Sequence, residues 1–492
     1  MKYILSLDQG TSSSRAILFD EKTRLAYLEQ AEFQQYYPKQ NWVEQSAKEI
    51  WESQLEVTKK VIGDRIHQIH AIGITNQRET TILWDKHTGE PVYNAIVWQD
   101  QRTSKRCDFL KHDFQDIIHR KTGLIIDSYF SATKIEWILN NVEHARKKAE
   151  KGDLLFGTVD SWLVWNLTKG ALHITDVSNA SRTMLFNINT LEWDSDLLDL
   201  FNIPKSILPK VVSSSEVYGT THSSIFGKEI PISGIAGDQQ AALFGQTCFE
   251  KGMIKNTYGT GCFMLMNTGS KVKYSNNGLL STIAWQINGQ TTYALEGSIF
   301  MAGATIKWLR DQLNIIKKAS ETEALALSVK DNGGVYIVPA FSGLGAPYWN
   351  SDVNGMVKGL TLSTTKAHIV RATLESIAYR TKDILALMAE ESEIELLSLS
   401  ADGGASKNKF LMQFQSDILN IDINLPQNVE TTALGTAYLA GLATQFWTLN
   451  EIQNYHKISA IYRPNMSESN RRTLYKEWQK AVYDLITSAN SY

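Results

Sequence analysis

Asp8-Gln9-Gly10-Thr11-Ser12-Ser13-Ser14-Arg15 follows the apolar run Tyr3-Ile4-Leu5-Ser6-Leu7 and reads as strand, tight glycine turn, strand. In that arrangement Gly10 lets the backbone bend close to an anion, and the hydroxyls and amides of Thr11, Ser12 and Ser13 donate to phosphate oxygens. Arg15 supplies neutralising charge, and Asp8 can hold a divalent cation through water. The expected occupant is a nucleoside triphosphate with magnesium. Glycine followed by Thr and Ser also makes ordinary hairpins. A second element of the same kind, Asn256-Thr257-Tyr258-Gly259-Thr260-Gly261-Cys262-Phe263, lies half a chain further on. Two such hairpins predict a duplicated α/β architecture with a cleft between the halves.

A chain of 492 residues exceeds what one core usually serves, so two domains are expected, 1–247 and 248–492, with the boundary near residue 247. Hydrophobic residues make up 43% and charged residues 21%, the composition of a globular protein. Forty-nine basic against 52 acidic residues leave a net charge of -3 without a basic block, so nucleic acid is not an expected partner. The few apolar residues before Asp8 are too short for a signal peptide and no later run approaches a membrane span, which predicts a cytoplasmic protein with no integral membrane segment. Cys107, Cys248 and Cys262 are far apart and show no metal or redox spacing, and they read as reduced thiols.

Ser46-Ala47-Lys48-Glu49 predicts a capping box opening a helix with Ile50, Trp51, Val57 and Val61 on its apolar face. The strands Ala71 to Thr75 and Thr81 to Asp85 leave Asn76-Gln77-Arg78-Glu79 as a loop at a strand end, where ligand groups collect. Gly237-Asp238-Gln239-Gln240 reads as a turn entering a short helix, with Asp238 at its positive end. Tyr129 reads as following an apolar strand. His368 to Met388 predicts a long amphipathic helix, and Leu397 to Ala401 with Asp402-Gly403-Gly404-Ala405 predicts strand, glycine pair and helix, a third nucleotide-compatible junction. Gly435 and Gly441 inside the helix Thr431 to Ala443 are explained by close helix packing and need no ligand.

Taken in order, Asp8 to Arg15, Gly237-Asp238-Gln239, Tyr258-Gly259-Thr260-Gly261 and Asp402-Gly403-Gly404-Ala405 make the chain resemble the FGGY carbohydrate kinases of the actin and Hsp70 ATPase superfamily. Tyr129 to Ile138 and Gly355 to Glu375 carry two longer patterns of that family. Gly73 to Thr81, Asn94 to Gln99 and Phe156 to Trp162 look like segments of the members that phosphorylate glycerol. The resemblance covers nearly the whole length. It implies two ribonuclease-H-like domains closing a catalytic cleft on ATP and on a polyol.

By the same resemblance Arg78, Glu79, Tyr129, Asp238 and Gln239 bind the hydroxyls of glycerol, and Trp98 and Phe263 pack on its carbon edge. Asp238 is the implied base toward the attacking hydroxyl, and Asp8 and Asp238 are the implied magnesium residues. Thr11, Ser12, Ser13 and Arg15 would contact the phosphates from one side and Thr260 from the other, with Gly303, Gly404 and Asn408 toward adenine and ribose. A homodimer or homotetramer is the implied assembly. Lys307 stands where a nucleotide-associated Gln is expected. Tyr218 to Gly227 lacks the Gly-rich, Arg-containing loop with which some relatives bind fructose 1,6-bisphosphate, and His222 reads as a surface histidine. Two competing readings are a kinase for another polyol or ketose, and a nucleotide-binding regulator in which cleft closure only signals.

Overall fold

The computed structural model describes residues 1–341, 343–350 and 352–489. The opening apolar run forms β1 (Tyr3–Gln9), buried along its whole length. Tyr3, Leu5 and Leu7 pack into one apolar layer and Ile4 into another, the alternation a strand covered on both faces requires. After the Gly10 turn the chain returns as β2 (Ser13–Asp20), and β3 (Leu25–Glu32) forms the outer edge. β4 (Ile69–Asn76), β5 (Ser215–Thr220) and β6 (Pro231–Gly237) complete the first half.

The second half repeats the plan with β7 (Met253–Tyr258), β8 (Cys262–Gly269), β9 (Leu280–Ile287), β10 (Gln290–Ile299), β11 (Ser398–Gly403), β12 (Asp422–Pro426) and β13 (Ile458–Tyr462). β1 pairs antiparallel with β2 and parallel with β4, which runs parallel to β6. In the same way β7 pairs antiparallel with β8 and parallel with β11, which runs parallel to β12. The duplication expected from the two glycine hairpins is present as topology. All thirteen strands join in one sheet, in the order β13-β12-β11-β7-β8-β10-β9-β5-β6-β4-β1-β2-β3. The halves meet through the pair Ser215 and Ile287.

α1 (Ala47–Ile62) covers one face of β1 and β2, burying Ile50, Val57 and Val61. Each such side chain contributes about 1.5–3 kcal/mol on burial. Ser46 caps it by accepting from the Glu49 amide at 3.2 Å, but the Glu49 carboxylate takes the Tyr36 hydroxyl at 2.6 Å, so only half of the expected capping box forms. The short helix α2 (Asp238–Gly245) follows β6, α3 (Lys366–Ser392) crosses the core of the second half, and α4 (Thr431–Ala443) lies under the first. A Cβ on Gly435 would stand 1.9 Å from the Ala241 carbonyl oxygen, and on Gly73 2.3 Å from that of Thr436. A Cβ on Gly441 would meet Trp447 at 2.3 Å. Gly435 and Gly73 permit backbone contact, whereas Gly441 makes room for the Trp447 ring; Gly435 thus serves the close helix packing read from the sequence. α4 thus packs on β4, β6 and α2 although it arises late in the chain.

Register sets the site. Gln9 lies beside Asn76, and Asn76 beside Gly237. The parallel strands β1, β4 and β6 therefore end level, and the segments after them emerge side by side at the carboxyl edge, where ligands of open α/β sheets bind. Among the described residues, no helix is long and apolar enough to cross a membrane. All three cysteines are free and buried.

Candidate active site

Beyond β4 the chain turns sharply, and Glu79 takes φ 61°. A non-glycine residue in this left-handed region costs about 1–2 kcal/mol. Thr81 Oγ1 and Ser131 Oγ both donate to the Glu79 carbonyl, at 3.1 and 3.0 Å, and hold the strained peptide in place. Arg78 and Glu79 are 2% and 1% exposed, so the pair is no solvated surface ion pair.

Arg78 runs across Gly237, where a Cβ would meet its Cγ and Cδ at 2.7 Å. Its fork then binds Glu296 of β10 twice, Nη1 at 2.6 Å and Nη2 at 3.0 Å. Nη1 also donates to Gln240 at 3.2 Å and Nη2 to the Tyr129 hydroxyl at 3.3 Å. Nε lies 3.3 Å from Asp238 Oδ1 and 3.6 Å from Glu79 Oε1. Arg182 donates to Glu79 at 2.7 Å and to Glu296 at 3.0 Å. Burial opposes ionisation of Glu296, but Arg182 and Arg78 overcome it and hold the carboxyl down at about 2. Glu79 goes the other way, raised by burial that the two arginines do not fully offset.

Asp238 is the first residue of α2, with its carboxylate accepting from the Gln239 amide at 2.7 Å. Gly237 holds the capping position instead. Burial raises the Asp238 pKa, opposed by Arg78 and Lys255. Lys255 of β7 is fully buried and donates to Gln239 Oε1. Because an ammonium only donates, the Gln239 amide nitrogen faces away from it. Burial lowers the Lys255 pKa to about 8, with Asp402 and Asp238 opposing.

Tyr129 does not follow a strand. Leu124 to Asp127 form no strand ladder, and Tyr129 sits in a turn before the helix Ser131–Asn141. The apolar run that reads as strand instead buries Leu124 and Ile126 in a side cluster, and the Ile126 amide donates to Gln115 at 2.9 Å. Lys134, fully buried, fixes the turn by donating to the Tyr129 carbonyl at 2.6 Å. Trp98, half-buried, meets Tyr129 edge to face at 5.6 Å and donates from its indole to Thr11 Oγ1 at 3.0 Å. The aromatic wall and the first hairpin are thereby one piece. Phe263 faces Ser298 across the ladder and shares a sheet face with Glu296.

On the first hairpin the Gly10 amide donates to the Ser13 carbonyl at 3.0 Å. Gly10 does not adopt a left-handed conformation, and a Cβ there would come only within 3.3 Å of Ser13. The turn itself demands glycine less than the sequence suggests. Among the described residues the Ser12 and Ser13 hydroxyls have no protein partner. Arg15 pairs with Asp8 at 2.6 Å and with Glu430 at 2.6 Å. Burial pushes the Asp8 carboxyl up to about 6, with Arg15 lowering it and Glu430 and Asp238 raising it.

The second hairpin exposes Gly259 and Thr260. Ala302 and Gly303 close onto it, their amides donating to the Thr260 and Gly259 carbonyls at 3.0 and 3.1 Å. Gly404 is exposed with open space where a Cβ would be, whereas Gly403, at φ 88°, lies against the Tyr258 backbone. Asn408 caps the next helix, accepting from Leu411 and donating to Thr322, both at 3.0 Å. Lys307 is exposed on the helix Gly303–Asp311. His222 is exposed and caps a short helix through Ser224.

Arg182, Glu296, Lys255, Gln240, Lys134 and Glu430 were not singled out by sequence reasoning. The usable signal is a lone charge inside an apolar run, as in Ala294-Leu295-Glu296 and Met253-Ile254-Lys255.

The model of the FGGY family of carbohydrate kinases, N-terminal domain, matches residues 3–245, and that of the C-terminal domain residues 254–444. Glycerol kinase 2 of Thermotoga maritima is 59% identical over 98% of both chains, and a glycerol kinase of Pseudothermotoga lettingae 60% over 98% of both. The crystal structure of Plasmodium falciparum glycerol kinase with ADP superposes with a TM-score of 0.95 at 39% identity, covering 99% of this chain and 98% of that one. A ligand-bound xylulose kinase from Lactobacillus acidophilus shares the fold at 22% identity, with a TM-score of 0.89 and complete coverage of both chains. With both family domains matched in order and full-length relatives near 60% identity, this chain belongs to the FGGY family of carbohydrate kinases.

Proposed function

We propose that the protein transfers the γ-phosphoryl group of ATP to a terminal hydroxyl of glycerol, yielding sn-glycerol 3-phosphate and ADP. The observation that carries this reading is the meeting of buried Arg78 and Glu79 with half-buried Tyr129 and Asp238 beside the Gly10 hairpin, donors and acceptors placed next to a turn with free serine hydroxyls. The full-length likeness to glycerol kinases supports it.

In this reading Glu79, whose Oε1 is engaged by Arg182, accepts a glycerol hydroxyl at Oε2. Arg78 and the Gln239 amide nitrogen donate, and Trp98 and Phe263 flank the carbon edge. Buried groups built to pair with hydroxyls reject analogues lacking them, by about 10⁴ or more at comparable sites. Asp238 uses Oδ1 for Arg78 and the Gln239 amide, leaving Oδ2 to take the proton. As the hydroxyl oxygen bonds to the γ-phosphorus, the bond to the β-phosphate oxygen breaks and ADP leaves. A carboxylate is a weak base toward an alcohol, so alignment and charge neutralisation carry most of the acceleration. Thr11, Ser12, Ser13 and Arg15 face the phosphates from the first half and Thr260 from the second, with Gly303, Gly404 and Asn408 toward the nucleoside.

The donor set fits magnesium. Asp8 offers a buried carboxylate crowded by the charges of Glu430 and Asp238. Among the described residues no group of three or more His, Cys, Asp or Glu forms a metal cage, and magnesium suits a site where water and phosphate supply the remaining ligands. Asp8 and Asp238 would hold it, and its charge would offset that developing on the phosphates. The proposal extends to domains divided near residue 247, a cytoplasmic location and a homodimer or homotetramer, which sedimentation would check.

The test is ADP formation by purified protein with magnesium and ATP, supplied with glycerol, dihydroxyacetone, xylulose, erythritol or no acceptor. Turnover with glycerol to glycerol 3-phosphate is expected. Preference for another acceptor reassigns the pocket, and acceptor-independent hydrolysis removes the transferase reading.

A further inference from the structure

We infer that Glu296 and Arg182 are positioning residues for the polyol site, acting through Arg78 and Glu79. The inference rests on the glycerol-phosphorylating reading. Glu296 and Arg182 join Arg78 and Glu79 in a closed ring of two positive and two negative side chains, each at most 3% exposed. Each member bears on its neighbours. The bidentate pairing with Glu296 fixes the plane of the Arg78 fork, which a single contact would leave free to turn. Arg182 grips Glu79 at Oε1 and so decides which oxygen the strained turn presents.

Folding alone gives weak reason for such a ring, because apolar side chains of similar volume often stabilise as well as buried ion pairs do. Its members lie where orientation matters: Arg78 Nε reaches Asp238 Oδ1 and Arg78 Nη2 reaches the Tyr129 hydroxyl. Glu296 is also the second half's contribution to this cluster. Three residues beyond it, Ile299 pairs with Cys262 at the base of the second hairpin, and a Cβ on Gly261 would meet the Ile299 carbonyl at 2.3 Å. The polyol-side arginine is therefore aimed by the strand that abuts the proposed nucleotide hairpin.

The experiment compares wild type, Glu296→Gln and Arg182→Lys for glycerol KM, kcat, ADP dissociation constant and melting temperature. Glutamine keeps the shape of Glu296 and removes its charge, while lysine keeps the charge of Arg182 and removes its fork. Both variants should raise glycerol KM by about tenfold or more, with kcat falling less and ADP affinity unchanged within about twofold. An unchanged glycerol KM in either folded variant overturns the inference, as does an equal loss of ADP affinity. Should Glu296→Gln not fold, Arg182→Lys decides by the same criteria. Wild-type enzyme that does not phosphorylate glycerol would sink the functional reading instead, so the two failures are distinguishable.

Discussion

The two glycine hairpins share a topology and differ in what holds them. The first, at Gly10, is tied through side chains: Thr11 to Trp98, Arg15 to Asp8 and Glu430, and the Thr11 carbonyl to Gln45. The second, at Gly259 to Gly261, is tied through backbone to Ala302 and Gly303, and among the described residues the Thr260 hydroxyl has no protein partner. One fold unit used twice is thus anchored in two ways: side-chain charge gathers at the first hairpin, which would face the phosphates beside the polyol, and bare backbone is left at the second, where the nucleotide would be clasped. Exposed amides and glycines suit anions, and buried forks suit hydroxyls.

The hardest blow to this division is Asp238→Ala. It should lower kcat by about 10²–10⁴ while ADP binding stays near wild type, and transfer at the wild-type rate would end the assignment of Asp238 as base. Arg78→Ala should come next, leaving buried Glu296 and Glu79 to share Arg182 alone at a stability loss of about 3–5 kcal/mol, read by denaturant unfolding. In the fraction that folds, glycerol use should suffer far more than ADP binding, and equal losses would erase the contrast between the halves.

Asp8→Asn tests the first hairpin through stability, measured with chelator and without nucleotide. The folded pKa of Asp8 stands near 6, above its ordinary 3.8. A raised carboxyl gives stability that is full below the unfolded value and lost as pH rises through about 6. A neutral Asn keeps that contribution, so the variant should be more stable than wild type at pH 8 by about 2–3 kcal/mol and the gap should close toward pH 4. A variant that is less stable at pH 8 contradicts it. Gly303→Ala sharpens the comparison from the other side, since its Cβ would stand 2.4 Å from the Gly259 carbonyl oxygen. Weaker ADP binding, on the order of tenfold, with glycerol KM unchanged is expected, and a shift in glycerol KM of the same size would show that the hairpins are not separable.

The hairpins, the loop at Arg78 and the helix start at Asp238 were legible as structure because each is local: a few residues carry the turn chemistry. Gly435 was legible as a packing glycine for the same reason. The ring partners were not, since Arg182 lies 103 residues from Glu79, and Glu296 lies 114 from Arg182 and 218 from Arg78, and only tertiary register brings them there. Tyr129 shows the opposite fault. An apolar run before it satisfies strand preference, yet its backbone finds a side-chain partner in Gln115, and burial alone does not make a ladder. Glu49 likewise had the spacing of a capping box and a competing Tyr36 hydroxyl within reach.

The placement of α4 has a consequence for biosynthesis. Gly73, Gly234 and Gly245 each leave a gap into which the backbone of α4 fits at contact distance. At about 5–20 residues per second, the ribosome needs on the order of 10–40 s after completing Gly245 to deliver Gly435. Through that interval the first half has its sheet but not its floor, with Ile4, Ala71 and Phe244 waiting for Leu434, Ala437 and Tyr438. The nascent chain therefore carries an open apolar face until α4 has been made, and a product truncated before residue 431 would retain that face as a site for chaperones and aggregation.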